Sequence, residues 1–127
     1  MTDAAFLIDS NVAIYIFADA GCPAARRVGD CEPGSVVTSA VAYAEIMRGL
    51  AGGPEEALLK ADAFFRLIPV LPFDEKAARA YSLMPFKRGS YDRLIAAHAF
   101  SLGLTLITNN VADFVGVPDL RVENWTQ

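Results

Sequence analysis

Short, unbroken apolar runs alternate along this chain with segments whose apolar residues recur at helical spacing. Ala5-Phe6-Leu7-Ile8 is wholly apolar and ends at Asp9, as expected of a strand covered on both faces. Asn11 to Phe17 and Pro23 to Val28 read as short helices, the second with proline in its first turn. Ser35 to Thr38 is rich in β-branched residues and reads as a second strand. Ser39 is placed to cap a helix from Ala40 to Leu50, which Gly52-Gly53 stops. Pro54 opens a helix to Arg66 with Ala57, Leu58, Ala61, Phe64 and Phe65 on one face.

Val70-Leu71 is the surest part of a third strand. The flanking Pro69 and Pro72 make it short or move it off the centre of a sheet. Asp74 caps a predicted helix from Glu75 to Met84, and Ser90 is placed to cap the next, which runs to a stop at Gly103. Leu104 to Thr108 and, weakly, Leu120 to Glu123 supply two more strands. No linker or repeat interrupts the 127 residues, so one domain, 1–127, is expected. Strands alternating with helices predict an α/β domain: three layers, α/β/α, around a mostly parallel sheet of about five strands.

Composition sharpens this picture in two places. The hydrophobic fraction is 54% and mean hydropathy is +0.31. That is ample for a core, and the excess favours an oligomer or a bound partner. The net charge of −4 argues against a general nucleic-acid coat, unless the acids hold metal. Positive charge clusters at Arg26-Arg27, Arg48, Lys87-Arg88 and Arg93. Solvated helix faces account for such runs equally well. Cys22 and Cys31 form no zinc-type doublet, and His98 is the only histidine, so a zinc site is not expected. No stretch has the length of a membrane span and no basic leader with an apolar core opens the chain; a reduced, cytoplasmic setting is expected.

Four acids stand in apolar surroundings: Asp9 at the end of the first strand, Glu45 inside Val41-Ala42-Tyr43-Ala44-Glu45-Ile46, Asp92 at a helix start, and Asp113 after the fourth strand. Each has an ordinary reading. Asp9 accepts backbone hydrogen bonds, Asp92 complements a helix dipole, Asp113 caps a short helix, and Glu45 reaches out to solvent. Together they have another. In open α/β sheets ligands bind beyond the carboxyl ends of the strands, and the topology directs all four acids to that edge. A buried carboxylate without a partner is costly, and a hard divalent cation is the natural partner for several. Such a site suits metal-assisted phosphoryl transfer.

These residues also carry a resemblance. Leu7-Ile8-Asp9-Ser10-Asn11-Val12, Ser39, Glu45-Ile46-Met47-Arg48-Gly49, Asp92-Arg93-Leu94-Ile95-Ala96-Ala97-His98-Ala99 and Thr108-Asn109-Asn110-Val111-Ala112-Asp113-Phe114 follow one another in the order seen in PIN domains. The chain is similar in particular to VapC-type toxin ribonucleases of type II toxin–antitoxin systems. The resemblance implies a metal-dependent endoribonuclease, using Mg2+ or in its place Mn2+, with one or two ions. It implies Asp9 as central ligand, Glu45 and Asp92 beside it, and Asp113 toward a second ion or through water. Ser10, Asn11, Thr108 and Asn109 would orient the carboxylates. It further implies a VapB-like antitoxin as partner, a homodimer, and transfer or ribosomal RNA as substrate, with translation blocked. The helices over Ala40–Leu50 and Pro54–Phe65 are candidate docking surfaces. The segment Met84 to Ser90 is short beside many relatives, which alters the rim of the site and removes no acid.

Arg48, Lys87, Arg88 and Arg93 are candidate RNA contacts, and Tyr43 and Tyr91 candidate stacking residues, with core packing preferred for Tyr43. His98 is expected to be packed or exposed rather than catalytic. Two other functions compete. A phosphatase with Asp9 as nucleophile needs a second acid two residues on, where Asn11 stands. A non-catalytic or regulatory PIN-like module binding RNA or protein would ordinarily have lost acids, and all four are present.

Overall fold

The computed structural model describes residues 3–88 and 90–127. Gly89, part of the short segment before Asp92, lies outside the described residues. β1 (Phe6–Ile8), β2 (Val36–Ser39), β3 (Val70–Leu71), β4 (Thr105–Ile107) and β5 (Val122–Glu123) form one sheet in the order β3-β2-β1-β4-β5. Every pairing is parallel, with Leu7 level with Val37 on one side and Leu106 on the other. The short proline-bounded strand β3 is an edge strand, as its missing amide donors require.

Helices cover both faces: α1 (Ser10–Ala18), α2 (Pro23–Gly29), α3 (Ala40–Leu50), α4 (Glu55–Leu67), α5 (Glu75–Tyr81) and α6 (Tyr91–Leu102). Successive strand residues point to opposite faces, so the apolar runs feed two cores. Leu7, Val37 and Leu106 pack with Ala80 of α5 and Ile95 and Ala99 of α6. Ile8, Val36 and Ile107 pack with Val12 and Ile16 of α1, Ala24 of α2 and Phe64 of α4. Helix α3 closes the side of the sandwich, sending Ala42 into the first core and Ile46 into the second.

Capping matches the sequence at three helix ends and fails at a fourth. Ser39 Oγ accepts from Val41 N at 3.1 Å, Asp74 Oδ1 accepts from Ala77 N at 3.0 Å, and Gly103 ends α6 in the left-handed region at φ 69°. Ser90 stands before α6 but makes no side-chain cap bond. Helix α5 stops at Tyr81, three residues short of the predicted Met84. There the amides of Leu83 and Met84 bond back to Ala80 and Tyr81 carbonyls in tight turns, and Pro85 follows. Both thiols are free, and among the described residues no helix is long and apolar enough to cross a membrane.

The strand order has one reversal that matters. From β1 the chain moves through β2 to β3 on one side, then returns past β1 to β4 and β5 on the other. Neighbouring strands β1 and β4 therefore send their following segments apart, which opens a crevice at their carboxyl ends.

Two substitutions test this account by urea unfolding. Leu7→Ala, in the central strand and fully buried, lowers the unfolding free energy by about 2–5 kcal/mol. Asp74→Ala lowers it by about 1 kcal/mol through the lost cap.

Candidate metal and nuclease site

The first residue after β1 is Asp9, and the first after β4 is Thr108, so the crevice brings them together. Asp9 is only 4% exposed. Its main-chain amide continues the sheet by donating to the Ile107 carbonyl at 3.0 Å. Its Oδ1 accepts from Val12 N at 2.9 Å as the N-cap of α1, and the Thr108 hydroxyl also bonds its carboxylate. Burial pushes the Asp9 carboxyl up, with the charge of Asp92 adding to the effect, and these two hydrogen bonds oppose it.

Buried Ser10 carries the next link, its hydroxyl donating to Glu45 Oε1 at 3.2 Å. Glu45 stands on α3 between the residues that face the two cores, and Ser10 draws it toward Asp9. Burial raises the Glu45 carboxyl, and the negative charges of Asp92 and Asp9 raise it further against the Ser10 bond. Asp92, in the first turn of α6, is raised by burial and by Asp113 while Lys87 and Arg93 pull it down. Asp113 lies in a single 3-10 turn, Val111–Phe114, with its Oδ2 3.4 Å from Lys87 Nζ.

The fold thus links the four acids in one electrostatic chain, from Glu45 and Asp9 through Asp92 to Asp113. Among the described residues no three carboxylate, imidazole or thiol side chains stand close enough to form a ready-made metal cage. The donor set nevertheless suits a hard divalent ion: oxygens only, buried or half-buried, with neighbouring carboxylates the leading charges on Asp9 and Glu45. Asn109 adds a buried Oδ1 with no hydrogen-bond partner.

The other expected residues divide. Asn109 does not orient a carboxylate: its Nδ2 donates to Tyr15 Oη at 3.2 Å. Asn11 is exposed, with no side-chain hydrogen bond among the described residues. Tyr43 packs edge-on against Phe65, 4.8 Å between ring centres, so it belongs to helix packing. Tyr91 is exposed and, with Arg48, Val41 and Phe73, lines an apolar groove of about 610 Å³ that has Glu45 in its wall. Arg88 is exposed on the loop before α6. Arg93 turns back to donate to the Asp113 carbonyl at 3.0 Å.

Sequence reasoning missed two contacts. Tyr15 lies one helical turn after Asn11, a spacing that aims it at the same edge. His98 is buried with Nδ1 2.8 Å from Ser39 Oγ, its ring edge-on to Phe73. Burial lowers the His98 pKa and keeps the ring neutral, and Asp74 offsets this in part. The Ser39 hydroxyl, which accepts from Val41 N, thus also shares a hydrogen bond with Nδ1. That bond ties α6 to the start of α3, the two helices that carry Asp92 and Glu45.

A family model, the PIN domain, matches residues 6–118. The chain belongs to the PIN domain family. Among curated PIN relatives, Ribonuclease VapC1 of Haemophilus influenzae (strain R2866) is 30% identical over 132 residues, covering 96% of this chain and 98% of that protein. The tRNA(fMet)-specific endonuclease VapC of Shigella flexneri is 29% identical, covering 95% and 98%. DNA-bound VapBC from Salmonella typhimurium superposes with a TM-score of 0.85 at 26% identity, covering 96% of this PIN domain and 98% of that chain. VapBC-1 from nontypeable Haemophilus influenzae gives 0.80 at 28%, covering 97% and 99%.

The raised carboxyls carry a stability consequence with a definite sign. A group whose folded pKa exceeds its unfolded value costs stability as pH rises through the folded pKa, and the cost vanishes below the ordinary value of 3.8 for Asp9. In EDTA at pH 7, Asp9→Asn therefore raises Tm by a few degrees, on the order expected for about 1 kcal/mol. The gap to the unsubstituted protein closes as pH falls toward 4. Thermal scans across pH check both the sign and the closing.

Proposed function

We infer that this chain is the toxin of a VapC-type toxin–antitoxin pair, an endoribonuclease that hydrolyses RNA phosphodiester bonds with a divalent metal ion. One observation carries the reading: Asp9, buried at the strand-order reversal, shares its electrostatic environment with Glu45 and Asp92, and the charge of Asp92 raises both the Asp9 and the Glu45 carboxyl. The ribonuclease names of the relatives support the substrate class.

Asp9, Glu45 and Asp92 would hold Mg2+ or Mn2+, with Asp113 completing the acidic edge. Such an ion, when bound, lowers the pKa of a water for attack and offsets charge gathering on the phosphate. The chain's own part is positioning. Thr108 and the Val12 amide fix the rotamer of Asp9, and Ser10 fixes Glu45. The sheet end holds these groups on rigid backbone, so little reorganisation is needed when RNA arrives. Lys87, Arg88 and Arg48 offer phosphate contacts around the rim, and exposed Tyr91 offers a face on which a base can stack. The substrate is transfer or ribosomal RNA, and its cleavage inhibits translation.

The partner is a VapB-like antitoxin, as in the solved VapBC complexes. Helix α4 leaves Leu58, Leu59 and Leu67 exposed, apolar surface suited to that antitoxin or to a second copy in a homodimer.

With Mn2+ or Mg2+ the protein cleaves RNA, EDTA stops it, and Asp9→Asn lowers the rate at least about 100-fold while the fold persists. Cleavage assays beside circular dichroism check this. Full cleavage by a folded Asp9→Asn protein would sink the reading. No thermal shift with Mn2+ and no EDTA-sensitive cleavage would instead leave a non-catalytic binding module.

A further inference from the structure

The acidic edge is electrically lopsided. At the Asp9–Glu45 end, the leading charges on the two carboxylates are other carboxylates. At the Asp113 end two cations are built in. Lys87 Nζ stands 3.4 Å from Asp113 Oδ2, with both side chains partly exposed. Arg93 donates Nη2 to the Asp113 carbonyl at 3.0 Å, while its buried Nη1 has no hydrogen-bond partner among the described residues. A divalent ion placed on Asp113 would meet a fixed ammonium on the same carboxylate and a guanidinium behind it. Beside Asp113 it would find Asp92, whose charge couples to both ends, while Asp9 and Glu45 stand with Asp92 at the other.

We propose that Lys87, seated on Asp113 and backed by Arg93, takes the place of a second metal ion, so that the site works with one divalent ion and one lysine ammonium. The inference rests on the ribonuclease reading and specifies how its charge is supplied. The single ion belongs to the Asp9, Glu45 and Asp92 end. Lys87 contacts a non-bridging oxygen of the scissile phosphate from the Asp113 end. No bond to Lys87 forms or breaks, and its ammonium keeps its proton throughout. Asp113 is then a positioning residue: it aims Lys87, and its own contact with metal is not required. An ammonium suits this place because it is a compact point charge with three donors. Arg93, pinned through Nη2 to the turn that carries Asp113, holds that turn.

The test counts ions and measures cleavage on the full-length protein. Mn2+ binding by calorimetry, and independently by the electron paramagnetic resonance signal of free Mn2+, is measured for the unsubstituted chain, Lys87→Met and Asp113→Asn. One Mn2+ per chain is expected in all three, with affinity in Lys87→Met changed by no more than about twofold. RNA cleavage at saturating Mn2+ falls about 100-fold in Lys87→Met, the size of loss seen when one charge-stabilising donor is removed. Lys87→Arg recovers part of that loss. RNA binding by Asp9→Asn, which does not cleave, weakens when Lys87→Met is added, and its salt dependence becomes shallower by about one phosphate contact. Two Mn2+ ions per unsubstituted chain, with the second lost in Asp113→Asn, would overturn the proposal while leaving the ribonuclease reading intact. So would cleavage by Lys87→Met at the unsubstituted rate. Absence of both Mn2+ binding and cleavage in the unsubstituted chain would overturn the ribonuclease reading and the proposal with it.

Discussion

Like charge gathered at a buried strand end is the constraint on which the rest of the structure turns. Asp9 lies almost out of solvent, and its neighbours Glu45 and Asp92 carry the same sign. A carboxylate in that setting is costly unless hydrogen-bonded or neutralised. The fold supplies part of the answer through the Val12 amide and the Thr108 hydroxyl. It leaves the charge itself unbalanced at that end. Charge left unbalanced in this way is what the proposed metal site would use.

Everything around that point serves to hold it still. The central strand β1 is paired on both sides, and its alternating residues anchor two cores at once. The carboxylate that follows Ile8 therefore sits on backbone held by neighbours in every direction. The helices that bring Glu45 and Asp92 are joined by the Ser39–His98 hydrogen bond, inside the sandwich rather than in solvent. By contrast, the Asp113 end is built from a 3-10 turn and a loop, and there the charges are paired.

Much of this was legible in the chain before folding. The wholly apolar tetrad Ala5 to Ile8 marked a strand covered on both faces, and Pro69 and Pro72 placed β3 at an edge, where its lost donors do no harm. Asp74 and Ser39 were readable as caps because a short acceptor before a helical run has one obvious use. Ser90 had the same signature without the bond. The end of α5 was overrun because apolar periodicity continues through Leu83 and Met84, whereas the backbone turns earlier, ahead of Pro85. The acids stood out as charges in apolar company, and their convergence followed from strand order.

By itself, then, the sequence determined which residues are strand, which are helix, and which four carboxylates an α/β topology sends to one edge. These depend on propensity and on spacing within a few residues. Only the tertiary structure decided partners. Asn109 meets Tyr15, 94 positions away in sequence, and not a carboxylate; Ser10 meets Glu45, 35 away; His98 meets Ser39, 59 away. Lys87, one of several basic residues along the chain, was the one set against Asp113. Such choices rest on register and on helix orientation across the sheet, which no local pattern encodes. They are settled when the two cores close and leave each side chain a single place to point.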